Sequence, residues 1–255
     1  NIVKQLDIFM YRNHYISSME FLAMSLQEII EINGFVRFPK KFMQNVIMQM
    51  CDALTQTKLS QIIHGQIIPK NVMFTTDFKL LKLIDFTNAT YEQEIQRQQK
   101  ISAYSSPEQI FGLPTSYPTD MWSFGCILIE MYMGQPIFVG DESEMVKKIS
   151  KFIGPPPEYI TKRSQLEINE LQQKTTTFKE FFNVFGTFEE QLCQILNQIF
   201  VWDYQKRIDV AKLSQMVKEF NWPVCDFQLE NKNLLQEQKI RKIQIGDLLK
   251  INVLE

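Results

Sequence analysis

Glycine is scarce in this chain. The 255 residues contain 9, about half of the usual ~7%. None stands in a G-x-G-x-x-G or G-x-x-x-x-G-K pattern, so the chain carries no glycine-rich phosphate cradle of its own. Cysteine is scarce as well. Cys51, Cys126, Cys193 and Cys225 are scattered, with no C-x-x-C pair. They fit neither a zinc site nor a dense disulfide framework, which points to a reducing compartment. No run reaches the ~20 apolar residues of a membrane helix. The best stretch, residues 124–139, is interrupted by Glu130 and Gln135. An excess of one charge is also missing, since 27 Lys and Arg face 29 Asp and Glu. Such a near-neutral chain does not advertise a nucleic-acid or anionic-membrane partner. The start, Asn1-Ile2-Val3-Lys4, has neither signal-peptide architecture nor an initiator methionine. A piece of a longer protein is expected to read this way.

Apolar material is plentiful. Hydrophobic residues make up 45% and aromatic residues 12%, enough for a sizeable core. The length allows one large domain or two. Ile2, Phe9, Tyr15 and Ile16 flank the polar turn Arg12-Asn13-His14, which predicts a hairpin. A helix follows from about Leu26 to the Asn33-Gly34 turn. Pro39 then opens a long amphipathic helix, with Phe42, Val46, Met50 and Leu54 at four-residue intervals. Short β-type runs at residues 72–74 and 80–84 suggest a second hairpin, and residues 90–106 read as loop. Thr119-Asp120 is expected to cap an all-round apolar helix over residues 121–133. Further helices are predicted around Met145 to Ile153, after a capping-box pattern at Thr187-Phe188-Glu189-Glu190, and from Val210 to Phe220. A small β element followed by a mostly helical body is an α+β pattern.

The chemistry lies in a series of short motifs. His64-Gly65-Gln66-Ile67-Ile68-Pro69-Lys70-Asn71 comes first, and Asp85-Phe86-Thr87 follows. Next are Tyr104-Ser105-Ser106-Pro107-Glu108 and Asp120-Met121-Trp122-Ser123-Phe124-Gly125, and Asp203-Tyr204-Gln205-Lys206-Arg207 closes the series. In order and spacing they resemble the large lobe of a eukaryotic protein kinase, with its H-R-D-L-x-x-x-N, D-F-G and A-P-E signatures. The finer match is to the dual-specificity tyrosine-regulated (DYRK) kinases. These belong to the wider CMGC class that includes cyclin-dependent and MAP kinases. That match is carried by residues 9–14, 106–112, 120–130 and 134–138. The resemblance runs from about residue 1 to 222 and begins at the fourth strand of the small lobe. It implies a kinase-like α+β fold, mainly the helical C-terminal lobe with two strands of the N-terminal lobe. It divides the chain into a small-lobe remnant with hinge (1–23), a large lobe (24–225) and a C-terminal tail (226–255). The family's glycine loop, its ATP-binding Lys and the partner Glu would lie upstream.

The resemblance implies roles residue by residue. The catalytic-loop Asp, the family's base, is replaced by Gln66. An amide cannot take a proton near pH 7. The Lys that steadies the transferring phosphate is replaced by Ile68. The two metal ligands appear as Asn71 and Asp85, which makes them the candidate cofactor- and metal-binding residues. The Gly of D-F-G is Thr87, which tolerates positive φ poorly. The autophosphorylated Tyr-x-Tyr aligns with Gln96-Arg97-Gln98, and the Arg that normally follows the tyrosine before S-P-E is Ser105. Glu108 with Arg207, and Asp120, match scaffold positions. His64 reads as a structural hydrogen-bonding histidine, the cysteines as inert and buried, and Lys239, Arg241 and Lys242 as a solvated face.

A retained scaffold with lost catalytic groups leads to the expectation of a pseudokinase, hence no enzyme and no catalytic residue. In this reading the chain is a protein-binding scaffold or a structural subunit of a larger assembly. No cofactor is then required, and Mg-ATP is the candidate ligand of Asn71 and Asp85. The expected partners are proteins, with no nucleic acid and no membrane insertion. The expected setting is the cytoplasm, with association with the cytoskeleton left open. The alternative is an unconventional ATP-dependent serine/threonine kinase or a nucleotide-sensing pseudokinase. The tail holds Leu234, Leu235, Ile240, Ile243, Ile245, Leu248 and Leu249, many apolar residues for a free terminus. Packing on a partner or on its own lobe is the expectation there.

Overall fold

The computed structural model describes residues 1–92, 100–162, 173–184 and 186–223. The readings made for Gln96-Arg97-Gln98, Cys225, the basic cluster at 239–242 and the tail lie outside the described residues.

Strands β1 (Gln5–Tyr11) and β2 (His14–Met19) form the expected antiparallel hairpin, closing at the Tyr11–His14 pair. Arg12 and Asn13 both have positive φ, 46° and 63°, as the two central residues of a type I′ turn require. The hairpin keeps Leu6, Ile8, Met10 and Tyr15 exposed. Strand β3 (Met24–Ser25) belongs to a second sheet of order β3-β5-β6, with β5 at Val72–Phe74 and β6 at Leu81–Leu83. The first residues dock on the same sheet. Val3 N–H donates to Leu83 O at 3.0 Å, and Leu83 N–H donates to Asn1 O at 2.9 Å. A third ladder joins β4 (Ile62–Ile63) to β7 (Thr90–Tyr91), inside a stretch whose sequence reads as loop from residue 90.

The body is helical. Helix α1 (Leu26–Ile32) opens on a capping box in which Ser25 Oγ accepts from Glu28 N–H and the Glu28 carboxylate accepts from Ser25 N–H. Helix α2 (Lys40–Leu59) presents Phe42, Val46, Met50 and Leu54 to the core. The short α3 (Pro107–Ile110) leads to α4 (Tyr117–Met133), the centre of the lobe. Because α4 is apolar on every face, it can be covered on every side. Trp122, Phe124, Ile127, Leu128, Ile129 and Met131 are all buried. Helices α5 (Glu142–Ile153), α6 (Glu158–Thr161), α7 (Phe178–Phe181), α8 (Thr187–Ile199) and α9 (Val210–Glu219) complete the body. A Cβ on Gly125 would lie 2.7 Å from Ile199 Cγ2, so this glycine sets how closely α8 approaches α4. No helix among the described residues is long and apolar enough to cross a membrane.

Two expected caps are corrected. Helix α4 begins at Tyr117, earlier than expected, with Pro118 in its first turn and Ser116 at the N-cap position. Proline presets helical φ there, and Asp120 turns inward instead of capping. Helix α8 is preceded by Gly186, so Thr187 is already helical and makes no side-chain cap. Glu190, expected to close that box, lies instead 3.9 Å from Lys179 Nζ, while the neighbouring Glu189 pairs with Arg37.

Candidate functional site

The candidate site is built by two loops pinned from behind. His64 is fully buried, and its Nε2 lies 2.9 Å from Ile84 O. The backbone N–H groups of His64 and Gly65 each donate to one Asp120 oxygen at 2.8 Å. Burial raises the pKa of Asp120, while His64 and the two N–H donors pull against that rise. Asp120 therefore fixes the backbone of the loop, as expected. Gln109 adds a second tie by donating to Gly65 O at 3.0 Å.

From this anchored backbone the chain presents Gln66, Ile68 and Asn71. Gln66 and Ile68 are half-buried, and Asn71 is buried. Asn71 Nδ2 donates to Gln66 O at 3.0 Å, which leaves its Oδ1 as the outward oxygen. Ile84 N–H donates to Asn71 O at 3.0 Å, so the residue before Asp85 is stitched directly to Asn71. Asp85 has φ 61° and ψ 69°, in the left-handed region. Its Oδ1 accepts from Thr87 Oγ1 at 2.6 Å and from Thr87 N–H at 3.4 Å. Phe86 packs on the His64 ring at 4.7 Å.

These contacts correct one expectation. The strain anticipated at Thr87 is absent, because Thr87 lies in the short helical turn Phe86–Asn88 and is not among the positive-φ residues. The left-handed conformation falls on Asp85 instead. Aspartate tolerates it because its short polar side chain bonds locally. The sequence reading also missed Asn88, whose Nδ2 donates to Gln66 Oε1 at 2.5 Å. Nothing in a one-dimensional motif marks that contact.

Asn71 and Asp85 offer hard oxygen donors from two adjoining loops. That suits Mg²⁺, which takes one or two protein oxygens and completes its shell with water and substrate phosphate. The structure thus fits the metal that the fold implies, and Asn71 and Asp85 would hold it. Beside them a shallow notch is lined by Gln66, Ile68, Lys100, Ser102, Ser105 and Gln109. Ser105 is buried, and its Oγ accepts from Ser102 N–H at 2.9 Å, so the loop closes on itself where the family carries an Arg. Behind the notch, Glu108 and Arg207 form a fully buried ion pair at 2.8 Å.

A catalytic-type loop anchored by Asp120, stitched to the Asp85 loop on a helical lobe with a buried Glu–Arg pair, defines the class as protein kinase-like. The Protein kinase domain model matches residues 1–218, and the chain belongs to that family. It is 36% identical over 172 residues to dual specificity tyrosine-phosphorylation-regulated kinase 3 of Rattus norvegicus, covering 65% of this chain and 29% of the relative. It is 28% identical over 225 residues to dual specificity tyrosine-phosphorylation-regulated kinase 4 of Homo sapiens, covering 82% and 43%. It is 30% identical over 166 residues to homeodomain-interacting protein kinase 1 of Mus musculus, covering 63% and 14%. The chain thus spans less than half the length of each of these relatives. Its fold is that of the CMGC kinases, with DYRK-type relatives. The expectation of a non-enzyme is corrected here, because the chain matches the Protein kinase domain over residues 1–218 and its relatives are named as kinases. Residue 66 carries an amide where the family carries a carboxylate, and the candidate metal-binding residues Asn71 and Asp85 are both present.

Proposed function

We propose that this chain is the phosphotransfer lobe of an unconventional ATP-dependent serine/threonine protein kinase of DYRK type, working without a side-chain base in its catalytic loop. The observation that carries this reading is the coupling of Asn71 and Asp85 through the Ile84 N–H bond to Asn71 O. Two oxygen ligands held in mutual register are what a magnesium nucleotide needs from this lobe. When bound, the metal neutralises charge on the phosphates.

The missing base slows this chemistry without forbidding it. Phosphoryl transfer passes through a loose transition state, with little bonding to the incoming hydroxyl. That hydroxyl keeps its proton until late, so removing a base costs ~10²–10⁴-fold. Kinases commonly turn over at about 1–100 s⁻¹, which leaves a range of roughly 10⁻⁴ to 1 s⁻¹. The notch still holds a cation, Lys100, beside Ile68.

The test is transfer of labelled γ-phosphate from Mg-ATP to a Ser/Thr protein acceptor by the full-length protein. Slow transfer that Asp85→Asn abolishes supports the reading. Absence of transfer above the uncatalysed rate, at saturating Mg-ATP, sinks it.

A further inference from the structure

Gln66 stands where the fold's relatives place a base, and its amide is not free to turn. Its carbonyl oxygen accepts from Asn88 Nδ2 at 2.5 Å. Its backbone is fixed on both sides, because Gln66 O accepts from Asn71 Nδ2 and Gln66 N–H donates to His64 Nδ1 at 3.3 Å. No described residue accepts from Gln66 Nε2. An amide whose acceptor end is occupied can offer only N–H donors with its other end. Asn88 in turn sits in the short turn that also carries Thr87, whose hydroxyl holds Asp85 Oδ1. One turn therefore ties down the Asp85 carboxylate and the Gln66 side chain together.

We propose that Asn88 and Gln66 form a positioning unit. Asn88 holds the Gln66 carbonyl, so that Gln66 meets the acceptor hydroxyl as an N–H donor to its oxygen. The inference rests on the kinase reading above. In the step it serves, the hydroxyl oxygen forms a bond to the γ-phosphorus as the bond from that phosphorus to the β-bridging oxygen breaks. ADP leaves, and the hydroxyl proton passes to water. Gln66 orients the oxygen and takes no proton. Gln66 and Lys100 line the same notch, where an N–H donor and a cation would both suit an electron-rich oxygen.

The unit makes a specific forecast for the isosteric Gln66→Glu. In that variant one carboxylate oxygen takes over the bond from Asn88, and the other becomes a base aimed at the hydroxyl. The gain in kcat/KM is roughly 10²-fold, with a new acidic limb in the pH profile. With Asn88→Leu alongside, the carboxylate loses its anchor. The gain then shrinks about 10-fold or more, the range a single hydrogen bond to a charged group covers.

The experiment uses the full-length protein in four forms: wild type, Gln66→Glu, Asn88→Leu and the double variant. A separate readout needs no turnover. In protein labelled with ¹⁵N in asparagine and glutamine side chains, Gln66→Ala shifts the Asn88 carboxamide resonance, and Asn88→Leu shifts that of Gln66. Equal gains from Gln66→Glu in both backgrounds, or amide resonances that ignore each other's substitution, overturn the inference. If no form transfers phosphate, the kinase reading fails, and the amide resonances still decide whether the unit exists.

Discussion

Glu108 and Arg207 stand 99 positions apart and meet in two parallel hydrogen bonds of 2.8 and 2.9 Å. Both side chains are almost wholly removed from water. Arg207 spends further donors on Pro118 O and Val201 O, at 2.8 and 3.0 Å, and its guanidinium lies over the Trp122 ring at 5.0 Å. The pair thus joins the segment before α4 to the segment before α9. Breaking a buried pair strands a charge, which costs about 3–5 kcal/mol. Arg207→Met is expected to lower stability by that amount, measured by denaturant unfolding of the full-length protein. Glu108→Gln strands the buried guanidinium in the same way and is expected to cost a comparable amount.

Gly134 ends α4 at φ 83°, and a Cβ there would lie 1.8 Å from the Phe35 carbonyl oxygen. The left-handed conformation alone costs an alanine roughly 1–2 kcal/mol, and the contact with rigid backbone adds to it. Gly134→Ala is expected to lower the melting temperature by more than Gly112→Ala. Gly112 also has positive φ but has open space around it.

Glu130 is buried on α4 and accepts from the Tyr104 hydroxyl at 2.6 Å. Burial raises its pKa, and the Tyr104 bond offsets only part of the rise. A raised carboxyl pKa means that the folded state holds its proton longer than the unfolded state. The contribution is fully present below the unfolded value and fades as pH climbs through the folded one. Glu130→Gln keeps an acceptor for Tyr104 and removes this dependence. Unfolding free energies measured between pH 4 and 8 are expected to fall less steeply with pH in the variant than in the wild type.

Burial pushes the Cys51 thiol up to about 12 and the Cys193 thiol up to about 11, and it raises Cys126 as well. Thiolate is the reactive form. In native protein treated with iodoacetamide at pH 8, peptide mass spectrometry is expected to find these three sites unmodified. In guanidinium all three are expected to label.

Much of the architecture was legible because it rests on local chemistry. The Asn13 turn, the Phe42 to Leu54 stripe of α2, the apolar α4 and the Gly134 stop each follow from residue type and spacing. Asn71 and Asp85 are candidates from motif order, and the fold brings their loops together through the Ile84 N–H bond to Asn71 O. What stayed hidden depends on contacts across the fold. Thr187 with Glu190 is a capping signature in sequence, but the helix starts one residue earlier, with Gly186 at the N-cap. Thr87 was judged by its backbone preference, whereas its hydroxyl does the structural work at Asp85. The Asn88 contact to Gln66 spans 22 positions and has no periodicity to betray it.

Ile68 gives the electrostatics a direct handle. Restoring a cation beside the notch with Ile68→Lys is expected to raise phosphotransfer by roughly 10²-fold, the scale of one preorganised charge-stabilising group. The full-length variant would be assayed at saturating Mg-ATP. The gain is expected mainly in kcat, since the charge acts on the transferring group.

The kinase reading depends first on Asn71 and Asp85 forming a working magnesium-nucleotide site, and a thermal-shift titration addresses that most directly. Full-length wild type and Asp85→Asn would be heated with increasing Mg-ATP. At 100 times Kd the ligand adds ~2.7 kcal/mol, a shift of roughly 5–10 °C for a domain of this size. A shift of that order in the wild type, lost in Asp85→Asn, is the expected result. An unchanged melting temperature in both proteins at millimolar Mg-ATP would contradict the assignment of Asn71 and Asp85.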